Sequence, residues 1–302
     1  METCDTSIHL ALAFDRKFIT PFYVLLTSIF QNNRERPIVI HTIAAEVPPA
    51  ELERITAFVA EHNAKIIFYN IDKSMVEDFV IPANTHFSPA AYYRLFFPAL
   101  VPADIDKLLY IDTDTIVIGK LSQLYDINIG SYPLAAVLDD VIPSRPELGI
   151  TEDGNCFNSG ILLINLIEWR KQKISEKTIK FLNDFPHKIK WVDQDALNAV
   201  LINNWYEIDN RFNLTFYNIP KRLKKKEISG FLKDKVIIHY TTQHKPWQLG
   251  CANRLRFLYH HYFKLSPQSA QQLYVDIKVP SILKHTKIRL KEFLIDYTSL
   301  VP

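Results

Sequence analysis

Two aspartates one residue apart close the run Leu109-Tyr110-Ile111-Asp112-Thr113-Asp114. An apolar strand that ends in Asp-x-Asp can bring two carboxylates to one cation, because alternation sends residues i and i+2 of a continuing strand to the same face. Hard oxygen ligands suit magnesium or manganese, ions that bridge pairs of phosphates. The competing reading is an Asp pair in a turn, since a lone Asp-x-Asp is common. A second apolar run, Ile237-Ile238, ends in His239, and Lys245-Pro246-Trp247 follows it. A histidine in that position is usually a satisfied core residue. Beside two carboxylates, its imidazole would favour manganese over magnesium. The ammonium of Lys245 would suit a diphosphate as a point charge.

The glycines bear on the same question. There are seven, the first at Gly119. Dinucleotide and Walker-type loops need glycine so that backbone N–H groups can approach phosphate. The first 118 residues hold neither loop. A chain of this kind that binds a nucleoside diphosphate needs another source of positive charge, and a cation held by carboxylates supplies it.

These residues must be positioned by strands and helices. Ile8–Phe14 reads as a buried strand ending at Asp15, followed by a helix over about residues 21–32. Strands follow at Pro37–Thr42, Lys65–Tyr69 and Lys107–Ile111. Between them lie a helix opened by Pro48-Pro49, with Leu52, Ile55, Phe58 and Val59 at helical spacing, and a helix around Ser88–Phe97. Strand and helix alternating at this spacing imply βαβ units and a parallel sheet. Further strands are expected at Leu134–Leu138, Gly160–Ile164 and Val236–Tyr240, and helices at Leu166–Phe185 and Asp193–Asn203. The fold class is therefore α/β, with a Rossmann-like sheet at whose strand ends a ligand would sit.

Composition narrows the class. A chain of 302 residues can bury a sizeable core, and 48% hydrophobic with 23% charged residues fits a soluble globular protein. A net charge of +2 gives no argument for nucleic acid. The basic stretch Lys221–Lys226 reads as a solvated loop. Cys4, Cys156 and Cys251 make neither a disulfide framework nor a metal pair, which fits a reducing compartment. No leader-like or membrane-spanning run is evident, and the expected location is cytoplasmic. From Ser281 onward, Ile282, Leu283, Ile288, Leu290, Phe293, Leu294 and Tyr297 alternate with Lys284, Lys287, Arg289 and Lys291. This basic amphipathic tail can lie on an anionic membrane surface, on the inner face in a cytoplasmic protein, or pack its apolar side on the domain.

Six segments in order resemble a known family. They are Ala13-Phe14-Asp15, Tyr93-Arg94-Leu95, Tyr110–Asp114, Phe157–Asn165, Asp193–Asn198, and His239-Tyr240 with Lys245-Pro246-Trp247. In this order they resemble glycosyltransferase family 8, the retaining enzymes that include glycogenin and the bacterial lipopolysaccharide galactosyl- and glucosyltransferases. The resemblance covers roughly residues 8–250. It implies a nucleotide-sugar glycosyltransferase A fold with a mixed, mostly parallel sheet. It implies a catalytic domain over 1–265 and a helical, basic tail over 266–302.

The resemblance also implies roles. Asp112, Asp114 and His239 would bind manganese, with magnesium as the alternative, and the metal would grip the diphosphate of a UDP-hexose. Asp15 and Ala13 would line the nucleoside pocket. Arg94 and Asp193 would hold donor hydroxyls, Asn158 and Ser159 would face the sugar, and Thr113 would line the donor site. Lys245 would contact the diphosphate, and Gln194 would lie beneath the anomeric carbon. His86, Asp139 and Trp191 fall where bacterial relatives contact acceptor, a saccharide or glycolipid. Each has a plainer reading: Asp15 and Asp193 as helix caps, Arg94 as a surface ion pair, Asn158 as a turn residue, Trp191 as a core anchor. Two departures stand out. Lys17 replaces a small polar residue, and Thr242 replaces a glycine near the diphosphate. The rival functions are a metal-dependent sugar nucleotidyltransferase and a non-catalytic carbohydrate-binding relative. The first would be expected to carry a glycine-rich loop, and the second to have lost a metal ligand.

Overall fold

The computed structural model describes residues 6–72, 74–83, 87–151 and 155–297. In chain order the strands are β1 (Ile8–Asp15), β2 (Ile38–Ala45), β3 (Ala64–Tyr69), β4 (Lys107–Ile111), β5 (Thr115–Val117), β6 (Leu134–Leu138), β7 (Phe157–Asn165), β8 (Tyr206–Ile208) and β9 (Ile237–His239). The longer helices are α1 (Ile19–Asn32), α2 (Pro49–Ala60), α3 (Leu166–Lys171), α4 (Ile174–Asp184), α5 (Val192–Val200), α6 (Arg256–Leu265) and α7 (Val279–Tyr297).

β1 is buried at every position but the last, so it must be covered on both faces, which is the condition of a central parallel strand. It pairs in parallel with β2 and β4, and β2 with β3. β7 then runs antiparallel to β4 and to β6, and β8 closes the edge parallel to β6. The order is β3-β2-β1-β4-β7-β6-β8. The mixed, mostly parallel sheet is the one expected. β5 and β9 form a separate antiparallel ribbon that sets Thr115 opposite His239.

Contacts divide the chain into two units. The first comprises Met1–Ile19, Arg34–Thr113 and Leu121–Asn210, and contains the seven-stranded sheet. Its core joins Tyr92, Phe97, Tyr110, Phe157, Trp169 and Leu197. Trp169 is fully buried, and truncating such a side chain costs about 3–5 kcal/mol. The second unit comprises Thr20–Asn33, Asp114–Lys120 and Arg211–Pro302. Its core joins Val24, Ile116, Ile238, Tyr240, Leu255 and Tyr259. Asn32 crosslinks it, donating through Nδ2 to Val117 O at 3.0 Å and contacting Tyr262 Oη at 2.8 Å.

Two helices differ from the sequence expectation. The single helix over 166–185 is two helices, broken where Lys173 adopts φ 53°. Trp169 and Ile174 are both buried. Five residues apart on one helix they would point about 140° from each other, and the break lets both reach the core. The helix over 88–97 is a 3-10 run, Pro89–Leu95, followed by one α turn, Phe97–Leu100. Arg94 Nε donates to Ala91 O at 3.0 Å, competing for the carbonyl that an α-helix would offer to Leu95 N–H.

Candidate functional site

In the second unit, Asp114 immediately precedes β5 and His239 ends β9. Backbone pairing fixes both ends, since Tyr240 N donates to Asp114 O at 3.0 Å. Asp114 Oδ1 lies 3.2 Å from His239 Nε2, and Asp114 Oδ2 accepts from Lys245 Nζ at 2.6 Å. Lys245 Nζ also donates to Tyr240 O at 2.7 Å. Burial raises the pKa of Asp114, but the Lys245 ammonium and the His239 ring outweigh it and hold the carboxyl well below the usual carboxylate range. His239 Nδ1 is 2.9 Å from Asn213 Oδ1. An amide oxygen only accepts, so Nδ1 carries a proton and the ring is turned with Nε2 toward Asp114, the nitrogen that would face a cation.

In the first unit, Arg94 is buried and gathers the other side chains. Its Nη2 donates to Asp112 Oδ1 at 2.9 Å, and its Nη1 donates to Ser159 O and to Ser159 Oγ. Its guanidinium stacks 4.4 Å from the Tyr110 ring centroid. Burial pushes the Tyr110 phenol up, keeping it neutral as a donor to Asp112 Oδ1 at 2.8 Å. Asp193 Oδ2 is 3.0 Å from Arg94 Nε, yet that N–H is spent on Ala91 O, and neither oxygen of the fully buried Asp193 carboxylate accepts a hydrogen bond. Burial is the largest cause that raises its pKa, opposed by Arg94 and helped by Asp112, and the result is about 7. Gln194 Oε1 accepts from Ser159 N at 3.0 Å, and its Nε2 donates to Asp139 Oδ2 at 3.3 Å. Asn158 Nδ2 donates to the same oxygen at 3.2 Å.

Asp112, Asp114 and His239 each present one ligand atom, all within 4.8 Å of one another. Two carboxylate oxygens and one oriented imidazole nitrogen are a fitting donor set for a divalent cation. β4 ends at Ile111, so Asp112–Asp114 is a turn and not the continuing strand that alternation assumed. The turn nevertheless brings the carboxylates together.

Residues 9–250 match the family described as glycosyl transferase family 8. The chain belongs to this family. The chain is 32% identical over 269 residues to the general stress protein A of Bacillus subtilis, covering 85% of this chain and 93% of that one. It is 30% identical over 253 residues to a lipopolysaccharide 1,2-glucosyltransferase of Escherichia coli K12, covering 80% and 72%. A similar fold is seen in the galactosyltransferase LgtC solved with donor and acceptor sugar analogs, with TM-score 0.74, 24% identity, and coverage of 86% of this chain and 96% of that one. This family 8 chain is thus a glycosyltransferase with the glycosyltransferase A fold.

The remaining expected site residues of the family 8 chain are less uniform. Ala13 is buried in β1, and Asp15 ends that strand, its carboxylate accepting from Lys17 N at 2.8 Å as a turn cap. Lys17 is exposed. Thr113 is buried between the two aspartates. His86 lies outside the described residues. Trp191 is half-buried over a small cluster of Ile142, Leu148, Ile150 and Cys156, with Arg145 Cζ 4.9 Å from its ring. Thr242 is not among the positive-φ residues, so losing a glycine there costs no backbone strain.

Several positioning residues had no sequence signal. Asn213 orients His239. Arg145 pairs with Asp195 at 2.7 Å, both buried, and Asp195 Oδ2 also accepts from Lys190 N at 2.6 Å and Trp191 N at 2.9 Å. This latch brackets Val192, which sits at φ 36°, an unusual backbone for a β-branched residue. Asp193 lies inside the first turn of α5 rather than capping it, and Asp195 holds the two residues that precede the helix.

Proposed function

We propose that the chain is a retaining hexosyltransferase that moves glucose or galactose from a UDP-sugar to a saccharide or glycolipid acceptor. The setting proposed is synthesis of lipopolysaccharide or a related cell-surface glycan, with manganese as the metal. The observation that carries this reading is the Asp112–Asp114–His239 ligand cluster with Lys245 ion-paired to Asp114 at 2.6 Å. Two curated relatives support the donor class, being named a lipopolysaccharide 1,2-glucosyltransferase and a lipopolysaccharide 1,3-galactosyltransferase.

Bound manganese would supply Lewis-acid charge to the diphosphate as UDP leaves. The chain's own residues do the rest. Lys245 offers an ammonium to the charge developing on the β-phosphate. Asp193, whose two buried oxygens accept no hydrogen bond, would accept sugar hydroxyls together with the Arg94 donors. Ala13 and Asp15 would receive the nucleoside, and Thr113, Asn158 and Ser159 the rest of the donor. Gln194 keeps one lone pair of Oε1 beyond the Ser159 bond, and would place it against the oxocarbenium-like anomeric carbon. An amide is a poor nucleophile, so retention follows a front-face path. The bond to the β-phosphate oxygen breaks, the acceptor oxygen bonds to the same face, and the departing phosphate oxygen takes the acceptor proton. Asp139 and Trp191 would border the acceptor.

The proposed organisation is a catalytic domain over 1–265 and a tail over 266–302. No helix among the described residues is long and apolar enough to cross a membrane. The proposed location is the cytoplasm, with α7 resting on the inner membrane face. Exposure of Leu283, Leu290, Phe293 and Tyr297 supports surface contact over inward packing. Release of UDP from UDP-glucose and UDP-galactose, measured with and without manganese, tests the activity. No release from either donor with any metal would refute it.

A further inference from the structure

α7 is held to the second unit by its charged side. Its two acidic residues, Glu292 and Asp296, both point inward. Glu292 accepts from Arg256 Nη1 and Nη2 at 2.6 and 2.7 Å. Asp296 Oδ1 accepts from Arg254 Nη2 at 2.6 Å. His285 Nδ1 contacts Leu249 O at 3.1 Å, and Ile295 is the helix's buried residue. Residues 285, 288, 292 and 295 fall on one stripe at helical spacing. Val279, Leu283, Leu290, Leu294 and Tyr297 form the opposite ridge and are exposed, with exposed Lys287 and Lys291 beside it. Turning both carboxylates inward leaves an outer face of apolar groups and cations.

The residue that anchors the helix also anchors a second basic segment. Asp296 Oδ1 accepts from Lys225 N at 2.7 Å, in the loop Lys221–Lys226. Leu223 is buried as that loop's foot, while Lys221, Arg222, Lys225 and Lys226 are exposed. The one carboxylate close by in sequence, Glu227, folds back onto Lys224 N at 3.0 Å. Separated in sequence, the two basic segments meet at one aspartate.

We propose that the loop 221–226 and the outer face of α7 form one docking surface for an anionic lipid bilayer, the apolar ridge entering the interface and the loop cations lying over the headgroups. This rests on the reading of α7 as a membrane-surface helix and adds the loop to it. Charge complementarity selects the partner, and the apolar ridge favours a bilayer over nucleic acid, whose phosphates would need only the cations. Each cation near an anionic surface adds to binding, so a four-residue change has a large effect.

The full-length chain is floated with phosphatidylcholine vesicles, with and without phosphatidylglycerol. The wild type is expected to float with the anionic vesicles and to be released by salt. The combined variant Lys221→Gln, Arg222→Gln, Lys225→Gln, Lys226→Gln is expected to partition at least about tenfold more weakly, with unchanged melting and UDP release. The pair Leu290→Glu, Leu294→Glu reports on the helix separately. If the helix variant fails to float while the loop variant floats like wild type, the composite surface is wrong and the helix reading stands. If the wild type does not float, both are wrong. Tighter binding to duplex DNA than to anionic vesicles at matched salt would also overturn the proposal.

Discussion

The Asp114 region and the Asp193 region both centre on a carboxylate, and they treat it in opposite ways. Asp114 is matched by Lys245 and His239 and is held in its charged form. Asp193 is buried deeper and, even with the Arg94 guanidinium 3.0 Å away as its charge partner, sits near pKa 7. The first is assembled for charge that is always present. The second is costly until something donates hydrogen bonds to it. The proposed roles, phosphate contact for the first and sugar contact for the second, would call for this contrast, because hydroxyl donors arrive only with the substrate.

The contrast is broken most severely at Asp114. Asp114→Asn should lower transfer by about 10³-fold or more, through loss of the metal. It also leaves the buried Lys245 without its carboxylate, a change of the kind that costs about 3–5 kcal/mol. A transfer assay and a thermal melt read the two effects. Asp193→Asn should lower transfer by about 10²-fold yet stabilise the free protein. The folded pKa of Asp193 is raised, so the folded state holds the proton between about pH 4 and 7 and stability falls as pH rises through that window. At pH 8 the substitution relieves this burial penalty in part, offset by the lost Arg94 partner, and at pH 3 it relieves none. Melting curves across pH check the sign, and a lower melting temperature at pH 8 than wild type would contradict it.

The latch comes next. Asp195→Ala removes one partner of the buried Arg145 pair and the acceptor for Lys190 N and Trp191 N. It should reduce kcat by tens of fold, at most about 10², by releasing Asp193 and Gln194 from position. Manganese affinity should be unchanged, which separates loss of positioning from loss of metal. The smallest effect is expected at Trp191. If this ring stacks on acceptor, Trp191→Ala raises acceptor KM by up to about tenfold, and UDP release to water is unaffected. A fall in both equally would assign Trp191 to the core.

Local signals made half of this contrast legible in the sequence. The Asp-x-Asp at the end of an apolar run and His239 at the end of another pointed to the ligand cluster that the structure brings together. The sheet was equally legible, because β1, β2 and β4 are long apolar runs. Residues that act across large separations were not. Arg145 and Asp195 are 50 positions apart, and Asn213 and His239 are 26 apart. Nothing in composition pairs them. β5 and β8 are three residues long, too short to show alternation, and the Lys173 break is set by packing of Trp169 and Ile174. Even the aspartate pair reaches its place by a turn where alternation along a strand was expected.

Manganese binding tests the division between the two regions most directly. Titration of Mn²⁺ with UDP present, followed by the spin resonance of free ion, should show binding to the wild type and to Asp193→Asn with closely similar affinity. Asp114→Asn should lose it. Of the three proteins, only the wild type should then transfer efficiently from a UDP-hexose. Retained manganese-dependent transfer in Asp114→Asn, or loss of manganese in Asp193→Asn, would contradict the account.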